Sequence, residues 1–274
     1  MRTLQPDDCF VRNNVTISGS KDAGQTIVFV HGLGTEQSVW QHVAALLDGS
    51  FRKIAFDHVG ATAANRAVFF ANQARYLGLS GYVEDLLDVC ERVALDKPAI
   101  FIGHSIGAMV CLLASLRRPQ LFGKLVLIGA SPCYLNIDDY RGGLSRGDID
   151  AIYHAIHSNY PGWAATFGPS AMDNPDRPQL AGQFTAALAS IPKDMMLTVL
   201  CSLLQQDFRK EVERVTTPTL IIQSQRDLLV PHGVAEYLHH RIAGSRQVTI
   251  EAFGHLPHVS APDQVAQAIL EFLR

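Results

Sequence analysis

The chain has 274 residues, 47% of them hydrophobic and 18% charged, with a mean hydropathy of +0.10. That much apolar material builds a large buried core and excludes intrinsic disorder. The formal charge is −3, from 23 Lys and Arg against 26 Asp and Glu. No basic face for nucleic acid is expected, and the length suits an α/β domain with one insertion as well as two separate units.

The first eleven residues carry Asp7 and Asp8 where a signal peptide would need an apolar run. No uninterrupted apolar stretch reaches about 18 residues, so no membrane span is expected. The five cysteines, Cys9, Cys90, Cys111, Cys133 and Cys201, are odd in number and scattered without a C-x-x-C pair. They argue against a disulfide framework and a zinc site, and the expected location is a reducing cytoplasm.

In chain order, Cys9–Arg12 and Val15–Ser18 flank Asn13-Asn14 and predict a hairpin. Thr26–Val30 is an unbroken apolar run that ends in His31-Gly32-Leu33-Gly34. Such runs suit strands buried on both faces of a parallel sheet. The same pattern recurs at Lys53–Asp57, Ala99–Gly103, Lys124–Gly129 and Thr219–Gln223, with a later strand over Gln247–Ile250. Helical spacing fills the gaps at Trp40–Leu47, Tyr82–Leu95 and Ile106–Leu116, and again after Pro262. Alternating strands and helices predict crossover units and a mostly parallel sheet flanked by helices. The alternation stops between Ser131 and Val215. There the chain predicts helices over Asp148–Tyr160, Ala181–Ser190 and Met195–Gln206, broken at Pro161-Gly162, Pro169, Pro175, Pro178 and Pro192. The expected organisation is a core from 1–130 and 216–274 with a helical lid over 131–215.

Four short segments carry the chemistry. Gly103-His104-Ser105-Ile106-Gly107 follows a buried strand and opens a buried helix, the context of a nucleophile elbow. Ser105 is the expected nucleophile, and the Ile106 N–H points to where an oxyanion would form. His31-Gly32-Leu33-Gly34 offers a second donor, the N–H of Leu33. Gly254-His255-Leu256-Pro257 follows a late strand, where the order Ser…Asp…His places the general base. His255 is preferred to His258 by its position after the glycine, and His104 points the wrong way on the elbow. Asp227 is the carboxylate of the loop after Thr219–Gln223 and the expected acid, with Glu251 as fallback. Asp57 is read as a structural acceptor of loop N–H groups, and His154, His157, His239 and His240 as surface or lid residues without a metal site.

Taken together, the H-G-x-G, the elbow, the aspartate, the insertion and the late Gly-His resemble an α/β-hydrolase over essentially the whole chain. Asp85–Cys90, Gly103–Ala108, Leu116–Pro119, Ser131–Asn136 and Asn174–Pro178 resemble the RsbQ-type branch more closely. Its members act in bacterial stress signalling upstream of an alternative sigma factor, and the branch includes the plant karrikin and strigolactone receptors. The resemblance implies a four-helix V-shaped lid over a small apolar pocket and slow hydrolysis of esters or butenolides. It implies Ser105, His255 and Asp227 as the triad and Leu33 and Ile106 as oxyanion donors. Pocket walls would be Leu33, His104, Phe29 or Val30, and the lid residues Tyr134, Trp163, Phe167 and Phe184. The loop Gly60-Ala-Thr-Ala-Ala64 departs from the glycine-serine-rich turn usual in the branch.

The expected reaction is two-step acyl transfer on a small hydrophobic ester or lactone, needing no metal or organic cofactor. The alternative is a ligand sensor of a stress-signalling pathway that recruits a signalling protein through its lid. A carbon–carbon bond hydrolase or cofactor-free dioxygenase is a third possibility, because fold does not fix reaction.

Overall fold

The structure, a computed structural model, describes residues 8–20, 23–47 and 49–274. The expectation drawn from Met1–Asp7 lies outside these residues. Strands β1 (Thr16–Ser18), β2 (Gln25–Val30), β3 (Phe51–Phe56), β4 (Ala99–His104) and β5 (Phe122–Ile128) are followed by a ribbon of β6 (Asn136–Ile137) and β7 (Tyr140–Arg141), then β8 (Thr219–Arg226) and β9 (Arg246–Phe253). Among the described residues the main sheet runs β1-β3-β2-β4-β5-β8-β9. Every pairing in it is parallel except β1 with β3. This is the α/β-hydrolase arrangement, and β4, with all six residues buried, occupies its centre.

The unbroken apolar runs divide between the two faces with a period of two. Ile27, Phe29, Ile100, Ile102, Val126 and Ile128 meet Trp40, Val43, Val265 and Ile269 on one face. Val28, Val30, Phe101, Leu125 and Leu127 meet Val83, Leu86, Met109 and Val110 on the other. Covering both faces with helices keeps water off a parallel sheet and brings the C-terminal strand ends to one edge, where α/β proteins place their sites.

The expected N-terminal hairpin does not form. Cys9–Arg12 is a single helical turn, capped by Asp8, whose carboxylate accepts the Phe10 N–H at 3.0 Å. Asn14 takes the left-handed conformation as expected of an Asn turn, with φ +46°. Tertiary bonds outweigh local pairing: the Asp57 N–H donates to the Asn13 carbonyl at 2.7 Å, and Asn13 Nδ2 donates back to the Asp57 carbonyl at 3.0 Å. Residues 16–18 then pair with Lys53–Ala55 instead of with 9–12.

Between β5 and β8 lie the small ribbon and helices Arg146–Met172, Pro178–Ser190, Lys193–Leu204 and Arg209–Val212. The ribbon was not expected; Asp138, at φ +53°, makes its turn. The break expected at Pro161-Gly162 is present and falls at Asn159, which divides Arg146–Met172 into two helical segments. Asn159 leaves helical geometry, and its Oδ1 accepts the Gly162 N–H at 3.1 Å, so it caps a new helical segment with Pro161 in the first turn. Among the described residues no single helix is long and apolar enough to cross a membrane. Pro178–Ser190 and Lys193–Leu204 pass that test only as a pair bent by 102°. Cys9, Cys90, Cys111 and Cys133 are buried and Cys201 is half-buried, all as free thiols.

Candidate active site

The site is assembled at the C-terminal ends of β2, β4, β5, β8 and β9. At the end of β4 the chain reverses into a helix through Ser105, which adopts φ +52°, ψ −120°. A non-glycine residue at such angles costs about 1–3 kcal/mol and persists only where its surroundings demand it. Here they do. A Cβ on Gly103 would lie 2.6 Å from the Ala108 Cα, and one on Gly107 would collide with the Val30 and His31 carbonyl oxygens. The Ser105 N–H donates to the Ile128 carbonyl at 2.9 Å, fastening the turn to β5. Ile106 opens the helix Ile106–Arg117, so its N–H has no intrahelical acceptor and sits at the positive end of the helix dipole.

The loop after β2 is built from two histidines. The His31 Nδ1–H donates to the Gly32 carbonyl at 2.8 Å, and His31 Nε2 accepts the His58 N–H at 2.9 Å. The His58 Nε2–H donates in return to the His31 carbonyl at 3.0 Å. Burial holds both rings below the usual histidine range, so they stay neutral and the clasp keeps its tautomers. Gly34 is at φ +75°, and a Cβ there would press on Phe184 and Leu188.

His255 lies on the loop after β9. Its Nδ1 meets Asp227 Oδ2 at 2.8 Å, with the two side chains 5% and 1% exposed. The other Asp227 oxygen accepts the N–H groups of Leu229 at 2.8 Å and Val230 at 3.1 Å. Burial by itself would raise the Asp227 carboxyl. The charge and hydrogen bond of His255, with the two backbone donors, outweigh it and hold the carboxyl below its usual range. The His255 backbone is fixed from both sides: its N–H donates to the Ala171 carbonyl at 2.7 Å, and its carbonyl accepts from His104 Nε2 at 2.8 Å. Gly129, next to the Ile128 that holds Ser105, abuts the His255 ring; a Cβ there would stand 3.1 Å from Cε1. Asp227 and His255 are thus joined, and Gly129 sets the His255 ring next to the Ile128 that holds the Ser105 turn. Tyr134 joins them, with its hydroxyl hydrogen-bonded to Ser105, and burial pushes it up to about 12, so it remains protonated.

The competing residues fall elsewhere. His258 is fully buried, wedged between the His104 and Trp40 rings at centroid distances of 4.3 and 4.5 Å. Glu251 is exposed, and its N–H goes to Gln264. Asp57 accepts from the Gln37 N–H and from Asn14 Nδ2, both at 2.8 Å.

Leu33 and Ile106 line a recess with Val59, Tyr82, Ile191, Met195, Met196 and Val199. Phe184 lines a neighbouring groove with Thr35, Arg66 and Leu180. Trp163 and Phe167 line neither. They stack on each other at 4.8 Å, within a ladder that runs from Tyr160 to Phe184. Two more expected walls are corrected. Phe29 faces the opposite side of the sheet and packs on Trp40 at 5.3 Å. His104 is 2% exposed and lies among Gly32, His255 and His258. The walls from Ile191 to Val199 were not anticipated. Their signal, a run of methionine and aliphatic residues, is the same for a helix facing a core.

The sequence of residues 27–268 matches the pattern of the alpha/beta hydrolase family. Karrikin insensitive 2 receptor CA of Petunia hybrida is 38% identical over 262 residues, 95% of each chain. Strigolactone esterase D14 of Arabidopsis thaliana is 38% identical over 255 residues, 93% of each. Among solved structures, a hydrolase from Oleispira antarctica superposes with a TM-score of 0.91 at 27% identity, covering 98% of this chain and 97% of the other.

Proposed function

This chain belongs to the alpha/beta hydrolase family, and from that premise we propose that it is a serine hydrolase of small hydrophobic esters or lactones, including butenolide-like rings. The observation that carries the reading is the buried Asp227–His255 pair at 2.8 Å beside the strained Ser105. A carboxylate that accepts the Nδ1–H hydrogen bond leaves Nε2 free to act as base, and packing alone has no need of a serine held at positive φ.

In this mechanism Ser105 attacks the carbonyl carbon as His255 Nε2 takes its proton. The N–H groups of Leu33 and Ile106 receive the oxyanion. His255 then protonates the leaving alcohol, or the ring oxygen of a lactone, and activates the water that releases the acyl group. Asp227 holds the tautomer and offsets the imidazolium charge. Residues 131–215 act as a lid, with Ile191, Met195, Met196 and Val199 forming an apolar roof that suits a short acyl group.

A second reading, a ligand sensor acting with a signalling protein, is favoured by the relatives named as receptors. Its expected mark, a large exposed hydrophobic patch on the insertion, is missing among the described residues: the exposed large hydrophobics are Val11, Ile17, Leu46, Phe70, Leu77, Leu228 and Phe253, all outside 131–215. The test is hydrolysis of chromogenic esters of increasing acyl length by wild type and Ser105→Ala. The hydrolase reading expects sustained turnover, strongest on the shortest acyl groups and lost in the variant. A single burst that stops with a lasting adduct would favour the sensor, and turnover surviving in Ser105→Ala would overturn the mechanism.

A further inference from the structure

His104 precedes the serine of the nucleophile elbow, yet it lines neither recess. Its ring occupies a junction of three loops. Its backbone belongs to the elbow that carries Ser105. Its Nε2 lies 2.8 Å from the His255 carbonyl oxygen, 151 residues away along the chain. Its Nδ1 edge abuts Gly32, where a Cβ would collide with the ring. His258 covers it, with ring centroids 4.3 Å apart. The carbonyl accepts only, so the proton must reside on Nε2; Nδ1 is buried without a hydrogen-bond partner among the described residues. A buried ring with one unsatisfied nitrogen is a poor choice for packing alone, where an aliphatic residue would avoid the desolvation cost. Burial, with His258 and His255 nearby, keeps the ring neutral, so the tautomer does not change as His255 gains and loses its proton.

We infer that His104 is the positioning residue of the catalytic base: through its Nε2–H bond to the His255 carbonyl, packed on Gly32, it fixes the base loop relative to the nucleophile elbow and the oxyanion loop. The Ala171 carbonyl restrains the preceding peptide, accepting the His255 N–H at 2.7 Å. With the peptides on either side of the His255 Cα both held, the ring can pivot only about its side-chain torsions. Its Nδ1–H then stays on Asp227, and Nε2 is left as the basic nitrogen. This inference rests on the hydrolase reading above.

The test uses three variants. His104→Gln places an amide nitrogen where Nε2 stands and can restore the donor. His104→Asn is one methylene short and places its amide nearer the Nδ1 position. His104→Phe keeps the ring volume and has no donor. Two readouts are taken: kcat and KM on a short chromogenic ester, and the low-field proton resonance of the His255 Nδ1–H on Asp227. Misplacing a catalytic group by about 1 Å costs on the order of 100-fold in rate. The expected result is a fall in kcat of about 10- to 100-fold in the Phe and Asn variants with KM little changed, a shifted or broadened resonance in both, and recovery of both signals in the Gln variant. A kcat and a resonance in His104→Phe equal to wild type would overturn the inference. So would equal losses in the Gln and Phe variants, which would assign the effect to packing. The resonance reports on His104 whether or not Ser105 is the nucleophile, so a failure of the hydrolase reading, seen as activity in Ser105→Ala, is distinguishable from a failure of this one.

Discussion

The strand-end loops and the helical insertion contribute to the site in different ways. Around Ser105 and His255 each backbone position is pinned by a glycine without room for a side chain, a buried hydrogen bond or a left-handed turn. The insertion instead contributes mainly aliphatic and sulfur-containing walls, Ile191, Met195, Met196 and Val199, with the Tyr134 hydroxyl as its polar contact to Ser105. The contrast separates the two tasks of an enzyme. Charge must be met by rigid dipoles at fixed distances, and shape can be met by adaptable side chains. Changes in the first region should therefore alter rate by orders of magnitude, and changes in the second should alter substrate preference.

The largest effect expected after loss of Ser105 itself is that of Asp227→Asn. It keeps the shape but offers the wrong partner to Nδ1, and kcat should fall by about 10⁴-fold with little loss of thermal stability. A fall of less than about tenfold in steady-state assays would mean that Asp227 only braces its loop through Leu229 and Val230. Met195→Ala acts in the other region. It should cost about 2 kcal/mol of stability and shift the ratio of kcat/KM toward longer acyl chains by about 10-fold or more per added methylene accommodated. An unchanged chain-length profile would remove Met195 from the acyl wall. An equal loss of kcat on every ester would instead erase the distinction between the regions.

The third prediction concerns pH. Burial and the neighbouring His255 and His31 depress His258 to about 3, and it shares its packing with His104 and Trp40. An unfolded histidine titrates near 6.5. Between those values the unfolded chain binds a proton that the folded chain refuses. Stability is then full above about pH 6.5 and declines as pH falls, by about 1.4 kcal/mol per pH unit for one such group. His258→Phe should flatten the decline by about that slope between roughly pH 6 and pH 5, measured by denaturant unfolding at each pH. A slope identical to wild type would mean that His258 does not stay neutral in the fold.

How much of this could be read in advance follows the same division. Ser105, Asp227 and His255 stand out as candidates because each follows a buried strand in a chain order that the triad chemistry requires, and the structure pairs Asp227 with His255. Leu33 stands out through its flanking glycines, and it lines the recess beside Ile106. Met195, Met196 and Val199 do not stand out, since an apolar stripe has the same spacing whether it faces a core or a cavity. Phe29 was misassigned although the period of two places it with Ile27, on the face opposite Val28 and Val30. The hairpin at residues 9–18 failed because Asn13 and Asp57, 44 residues apart, bond to each other, a tertiary contact that local turn chemistry does not reveal. The place of His104 depends on a contact 151 residues away, beyond the reach of any motif.

The central claim is that Ser105 carries the acyl group between two half-reactions. It is tested most directly by rapidly quenching the protein during turnover of a short-chain ester and locating the adduct by intact mass and peptide mapping. The account predicts one acyl group on Ser105 that appears and decays at rates compatible with kcat, and none in Ser105→Ala. Turnover without a Ser105 adduct, or an adduct on another residue that forms and decays at the catalytic rate, would contradict it.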